Sequence, residues 1–126
     1  MRDHAYDTLP WHPNELEHRY GKNVHIVSDP LLVTQLATLC SKGTHQPEVN
    51  RLLQSLYVDL MKFVLNAEFP RRQAAVPTRM IDATPRGVFH GQVLDPETRV
   101  VTVGIARAGT LPSMAIYDLL NTVLDP

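Results

Sequence analysis

The stretch that decides the fold is Val100-Val101-Thr102-Val103-Gly104-Ile105-Ala106-Arg107-Ala108-Gly109-Thr110. Residues 100–106 are uncharged, apolar nearly throughout and rich in β-branched side chains, which suits a strand buried on both faces, as in the parallel sheet of an α/β protein. The run then meets an arginine and a glycine. Beyond them Thr110 stands where a helix cap belongs and Pro112 falls in a first turn, while Ile116, Leu119, Leu120 and Val123 recur at helical spacing as far as Leu124. A buried strand that passes through a short glycine-containing loop into a helix gathers free backbone N–H groups and the positive helix end at one edge, where anions bind. Gly109 has no side chain to hold a ligand off the backbone, and Arg107 adds a planar, permanently charged fork suited to the oxygens of a phosphate or diphosphate. The competing reading is a plain strand-to-helix connection with a solvated arginine.

Immediately upstream, residues 74–81 and 88–94 read as two short β-prone runs. A Thr84-Pro85 turn separates them, and Asp95-Pro96-Glu97-Thr98 is a turn by composition, so a small sheet apart from the main one is expected. Before them, Pro47 opens a helix in which Val49, Leu52, Leu53, Leu56, Tyr57, Leu60, Met61 and Val64 form a broad apolar stripe; Glu48, Arg51, Asp59 and Lys62 lie mostly on the other side. Pro70 breaks the chain after it. Farther back, residues 24–27 are a short β-prone run, followed by Ser28-Asp29-Pro30 as cap and first turn of another helix. Leu32, Leu36, Leu39 and Cys40 fall at helical spacing there, Lys42 sits in the expected last turn, and Gly43 is placed to stop it. On this pattern Cys40 belongs to the core. Residues 1–22 lack periodicity but carry Tyr6 and Trp11, so they form an N-terminal arm that packs on the body of the protein or on a second subunit.

Composition sets wider bounds. With 126 residues and 44% apolar content the chain has the size of one domain. A single cysteine excludes an intramolecular disulfide, no apolar run is long enough to cross a bilayer, and the N-terminus lacks a leader pattern, so a cytoplasmic setting is expected. A net charge of −1 argues against nucleic acid or an anionic membrane as partner. Locally, Arg71, Arg72, Arg79, Arg86, Arg99 and Arg107 outweigh Asp82, Asp95 and Glu97, a stretch fit to face a phosphorylated small molecule. His4, His12 and His18 match no standard zinc spacing, so no metal site is assigned to them.

Residues 100–121, reading VVTVGIARAGTLPSMAIYDLLN, resemble the strand, arginine-alanine-glycine loop and following helix of the uracil phosphoribosyltransferases. Residues 23–39, reading NVHIVSDPLLVTQLATL, are similar to that family's opening strand and leucine-rich helix, and the helix from Pro47 and the Phe69-Pro70 break follow in the right order. The resemblance covers residues 23–121 and therefore only the N-terminal half of such a protein. It implies a type I phosphoribosyltransferase fold in the class α/β: an incomplete parallel sheet with flanking helices and a small β hood, over residues 23–126. It also implies transfer of ribose 5-phosphate from phosphoribosyl diphosphate to uracil, giving UMP and diphosphate with magnesium as cofactor. Arg107 is the residue carried over to grip diphosphate, with the backbone of Ala108, Gly109 and Thr110 beside it. No residue of the chain is assigned to the chemical step. The family's later tyrosine-arginine element, ribose-phosphate loop and uracil-reading segment have no counterpart here, so the chain alone is expected to be inactive and to need a homo-oligomer or a companion chain. Ala106 and Leu111-Pro112 depart from the family's usual residues around the loop. A non-catalytic phosphate-binding or oligomerisation module is the other expectation.

Overall fold

Local signals place the helices. Asp29 adopts an extended conformation and its carboxylate accepts from the N–H groups of Leu31 (2.9 Å) and Leu32 (3.3 Å), so α1 (Pro30–Cys40) begins on a filled cap with proline at its first position. In this computed structural model, which describes residues 4–126, α2 (Glu48–Glu68) follows the turn at residues 41–47. Gln46 serves its first turn instead of a cap: Oε1 accepts from Asn50 N–H at 3.2 Å and Nε2 donates to Asn50 Oδ1 at 2.9 Å. Pro70 stops it, because proline has no N–H to continue the ladder. The third helix, α3 (Thr110–Leu120), packs on α2, as does α1. The Gln46–Pro47 and Ala106–Arg107 peptide bonds are cis.

Between α2 and α3 lies the hairpin of β1 (Arg71–Pro77) and β2 (Val88–Leu94), paired antiparallel from Arg71 opposite Leu94 to Pro77 opposite Val88. The expected small sheet is therefore present, with β2 spanning the residues the sequence indicates and β1 displaced toward the N-terminus. Residues 78–84 fold back as turns that close on Gly87, whose carbonyl accepts from Thr78 N–H at 2.8 Å. At the other end Asp95 Oδ1 accepts from Glu97 N–H at 3.0 Å, making the composition-predicted turn. Asp125 N–H donates to Pro96 O at 2.8 Å and ties the chain's last residues to that turn.

The arm packs on this chain's own body. Tyr6 lies across β2: its carbonyl accepts from Gln92 N–H at 2.7 Å, and its ring meets Phe89 at 5.8 Å between centroids. Gln73 Nε2 donates to Asp7 O at 2.6 Å, and Arg71 donates to Leu9 O. Trp11 stands edge-on to Phe63 of α2 at 4.8 Å. Farther along, the 24–27 run forms only a bridge, Glu15 to Val27, supported by Leu16 N–H to Ile26 O at 2.9 Å and Ser28 N–H to Asn14 O at 2.8 Å. The first residues of the arm lie outside the described residues.

Two expectations are corrected. The parallel sheet is absent among the described residues: the one sheet is the antiparallel hairpin, and residues 100–105 form no ladder. Val101, Val103 and Ile105 are 87%, 84% and 82% exposed. A strand is a property of a pair, since its hydrogen bonds run to a neighbour. The earlier β-prone run, residues 24–27, is engaged by the arm instead. Cys40 is likewise exposed and not in the core. α1 has α2 as its sole helical neighbour, so only the stripe of Leu32, Gln35 and Leu39 is half-covered while Leu31, Val33 and Leu36 face outward. Among the described residues, Leu65 of α2 and Leu120 of α3 are the only buried apolar side chains. The accessible surface is 10066 Å², about half as much again as the ~6,800 Å² of a compact monomer of 14.2 kDa.

Gly91 marks where arm and hairpin meet: a Cβ there would stand 2.6 Å from Tyr6 Cβ and 2.7 Å from Tyr6 O. Gly91→Ala is therefore expected to displace the arm at a cost of about 1–3 kcal/mol. Gly43→Ala, whose Cβ meets only Ser41 Oγ at 3.8 Å, should change stability by less than about 0.5 kcal/mol. Urea unfolding of both variants, with hydrogen exchange at the Gln92 amide, checks this. Equal stability and an unchanged Gln92 amide would show that the arm does not bear on β2.

Candidate functional site

Residues 104–113 form a closed turn that delivers the chain into α3. Ile105 O accepts from Gly109 N–H at 2.7 Å, Arg107 O from Thr110 N–H at 3.1 Å, and Gly109 O from Ser113 N–H at 3.0 Å. Gly109 is the helix cap and supplies no side-chain bond, so the helix begins at Thr110 itself, one residue earlier than the pattern of Thr110 as cap and Pro112 in the first turn suggests. The turn is tight because two glycines allow it. A Cβ on Gly109 would lie 2.6 Å from Ile105 N and 2.8 Å from Ile105 O, and one on Gly104 would lie 2.7 Å from Ser113 Oγ and 2.9 Å from Gly109 O.

This closure decides which backbone donors remain for a ligand. The N–H groups of Gly109 and Thr110 are occupied by carbonyls of the same turn, and Pro112 has none. Those of Arg107, Ala108 and Leu111 have no acceptor among the described residues, and the Thr110 hydroxyl donates to none of them. Arg107 is exposed, with no hydrogen bond or ion pair from its guanidinium to a described residue. The four residues expected from the sequence are thus brought to one turn, but Gly109 and Thr110 contribute shape and a hydroxyl where their amides were expected, and Leu111 supplies a donor that the sequence did not single out. Its place is the signal for it: Leu111 is the second residue of the helix, where an N–H has no intrahelical acceptor, and Pro112, three residues after the cap, has no N–H to offer.

The other arginines of the basic stretch do not converge on this turn. Arg71 is spent on Leu9 O and, at 3.1 Å, on Asn66 O, and Arg72 stands 3.7 Å from Asp95. The arm histidines hold local contacts: His4 Nδ1 lies 2.7 Å from Asp7 Oδ2, and His18 Nε2 meets Val24 O at 2.7 Å. His25, outside the arm, meets Glu15 at 2.5 Å.

A separate cleft of about 290 Å³, which sequence reading missed, opens between the arm, the start of α1 and α2; Trp11, His12, Asp29, Asp59, Lys62 and Phe63 are among its lining residues. Its charges are already engaged, since the Asp29 carboxylate caps α1 and Lys62 stands 3.8 Å from Asp59. Arg107 does not line it. Compared with known proteins, the chain matches no family model and no curated protein.

The glycine requirement can be tested directly. Gly109→Ala pushes a methyl group into the backbone of residues 104 and 105, which has no room to yield, so the turn should open at a cost of about 1–3 kcal/mol. Amide exchange read by NMR should show residue 109 losing its protection while the amides of α2 keep theirs. Retained protection at residue 109 would mean that the Ile105 bond does not hold the turn.

Proposed function

We propose that the turn at residues 105–111 is a diphosphate grip, and that the chain is the N-terminal portion of a uracil phosphoribosyltransferase-like enzyme. One observation carries the reading: an exposed guanidinium without a partner among the described residues stands beside N–H groups that are likewise unpaired among them, at the positive end of α3. In transfer from phosphoribosyl diphosphate, the bond to diphosphate loosens and negative charge grows on the leaving group. Donors aimed at those oxygens stabilise the transition state more than the ground state. Arg107 holds the diphosphate oxygens, the N–H groups of Arg107, Ala108 and Leu111 orient them, and the Thr110 hydroxyl adds a donor. The grip contains no carboxylate, and no group of three or more His, Cys, Asp or Glu able to hold a metal occurs among the described residues. These residues therefore do not form a magnesium site, and no step of the reading passes through the ion.

The groups that would hold ribose 5-phosphate and read uracil have no counterpart in this sequence, so turnover requires a further polypeptide segment. The exposed run at residues 100–105 favours a second reading, a non-catalytic phosphate-binding module that works through assembly.

Calorimetry separates these readings. The full chain is expected to bind diphosphate and phosphoribosyl diphosphate, with Arg107→Ala weakening both by about 10- to 100-fold, the size of a lost charge-assisted hydrogen-bonding group. Mixed with uracil, phosphoribosyl diphosphate and magnesium, the chain alone should form no UMP. Binding unchanged by Arg107→Ala, or no heat with either ligand, contradicts the grip. UMP formation by the isolated chain contradicts the need for a further segment.

A further inference from the structure

The structure assigns residues 99–104 as a cleavage site for a serine endoprotease that accepts a small aliphatic side chain, with the cut between Val101 and Thr102. Such an enzyme takes its substrate as an extended strand, pairing with main-chain groups and reading side chains through pockets. A folded chain offers that only where the backbone is both accessible and unpaired. Residues 99–104 meet both conditions: all are exposed, and none has a backbone N–H or C=O bonded to a described residue. No other run of six described residues does. The arm loop at residues 19–25 is exposed too, but Tyr20 N–H donates to His18 Nδ1 at 3.1 Å, His18 Nε2 meets Val24 O at 2.7 Å and Val24 N–H reaches Gly21 O at 3.4 Å. Residues 75–83 are held by the hairpin ladder and by turns such as Ile81 N–H to Thr78 O at 3.1 Å.

The extent of the run sets the bond. Val101–Thr102 has three unpaired residues on each side, Arg99 to Val101 and Thr102 to Gly104. Val101 is 87% exposed and presents a small branched side chain to a shallow specificity pocket. The flanking arginines are poorer sites for a basic-residue-specific enzyme. A cut after Arg99 draws in residues 97 and 98, whose N–H groups are held by Asp95 at 3.0 and 3.1 Å, and the Arg107 carbonyl accepts from Thr110 N–H. Hydrolysis adds water across the bond, leaving a carboxylate on Val101 and an ammonium group on Thr102. The two pieces stay together, because α3 packs on α2 and Asp125 N–H donates to Pro96 O at 2.8 Å. The cut does not depend on what Arg107 grips, and its readout is separate from diphosphate binding.

Limited digestion of the full chain with elastase under native conditions, followed by intact mass, tests this. The first cut should give pieces 1–101 and 102–126, which co-elute on gel filtration and separate only in denaturant. Val101→Arg, at an exposed position, should leave the helical circular dichroism unchanged and slow elastase at this bond by roughly tenfold or more. The same variant should make 101–102 the first bond cut by trypsin, ahead of those after Arg99 and Arg107. A first elastase cut elsewhere, resistance of residues 99–104, pieces that separate without denaturant, or a Val101→Arg chain cut as before overturns the proposal.

Discussion

The packing of α3 against α2 is the contact on which the rest depends. These two helices bear the only buried apolar side chains among the described residues, Leu65 and Leu120, and α3 in turn fixes the turn that presents Arg107. The turn is short, so its shape follows the helix it opens: Ser113 N–H returns to Gly109 O, Gly109 N–H returns to Ile105 O, and Gly104 slides under Ser113. Displace α3 and these three contacts loosen together.

Around that contact the chain covers itself unevenly. The arm is stitched to the hairpin at Tyr6, to α2 at Trp11 and to residues 26–28 through Asn14 and Leu16, all within one chain. By contrast, the outer side of α1, with Leu31, Val33 and Leu36, and the run through Val101, Val103 and Ile105 face water. A helix that is apolar on most sides and a β-branched run without a ladder both leave apolar surface uncovered among the described residues. A chain of this size with so little buried apolar area gains little from its own core.

What could be read from the sequence was whatever is decided locally. Asp29 and Pro30 announce α1 because capping and a fixed φ act within a few residues. The stripe from Val49 to Val64 marks α2, and the turn residues around Thr84 and Asp95 mark the ends of the hairpin. Long-range outcomes were not legible. Residues 100–106 have a strand's composition but no strand partner among the described residues, and Cys40 has core-like spacing on a helix that packs on α2. At the site, the position of Arg107 was readable from its place before a glycine and a helix. Which amides the turn consumes was not, because that depends on Ile105 O reaching Gly109 N–H.

The account centres on Arg107 and the amides of Ala108 and Leu111 holding diphosphate. Nitrogen-15 NMR of the full chain titrated with inorganic diphosphate tests this at the level of individual groups. The account predicts saturable shifts at the amides of residues 107, 108 and 111 and at the Arg107 guanidinium, with residues 29–32 and the hairpin unmoved. Shifts gathered instead around the cleft at Trp11 and Lys62, or spread evenly over all exposed arginines, would contradict it.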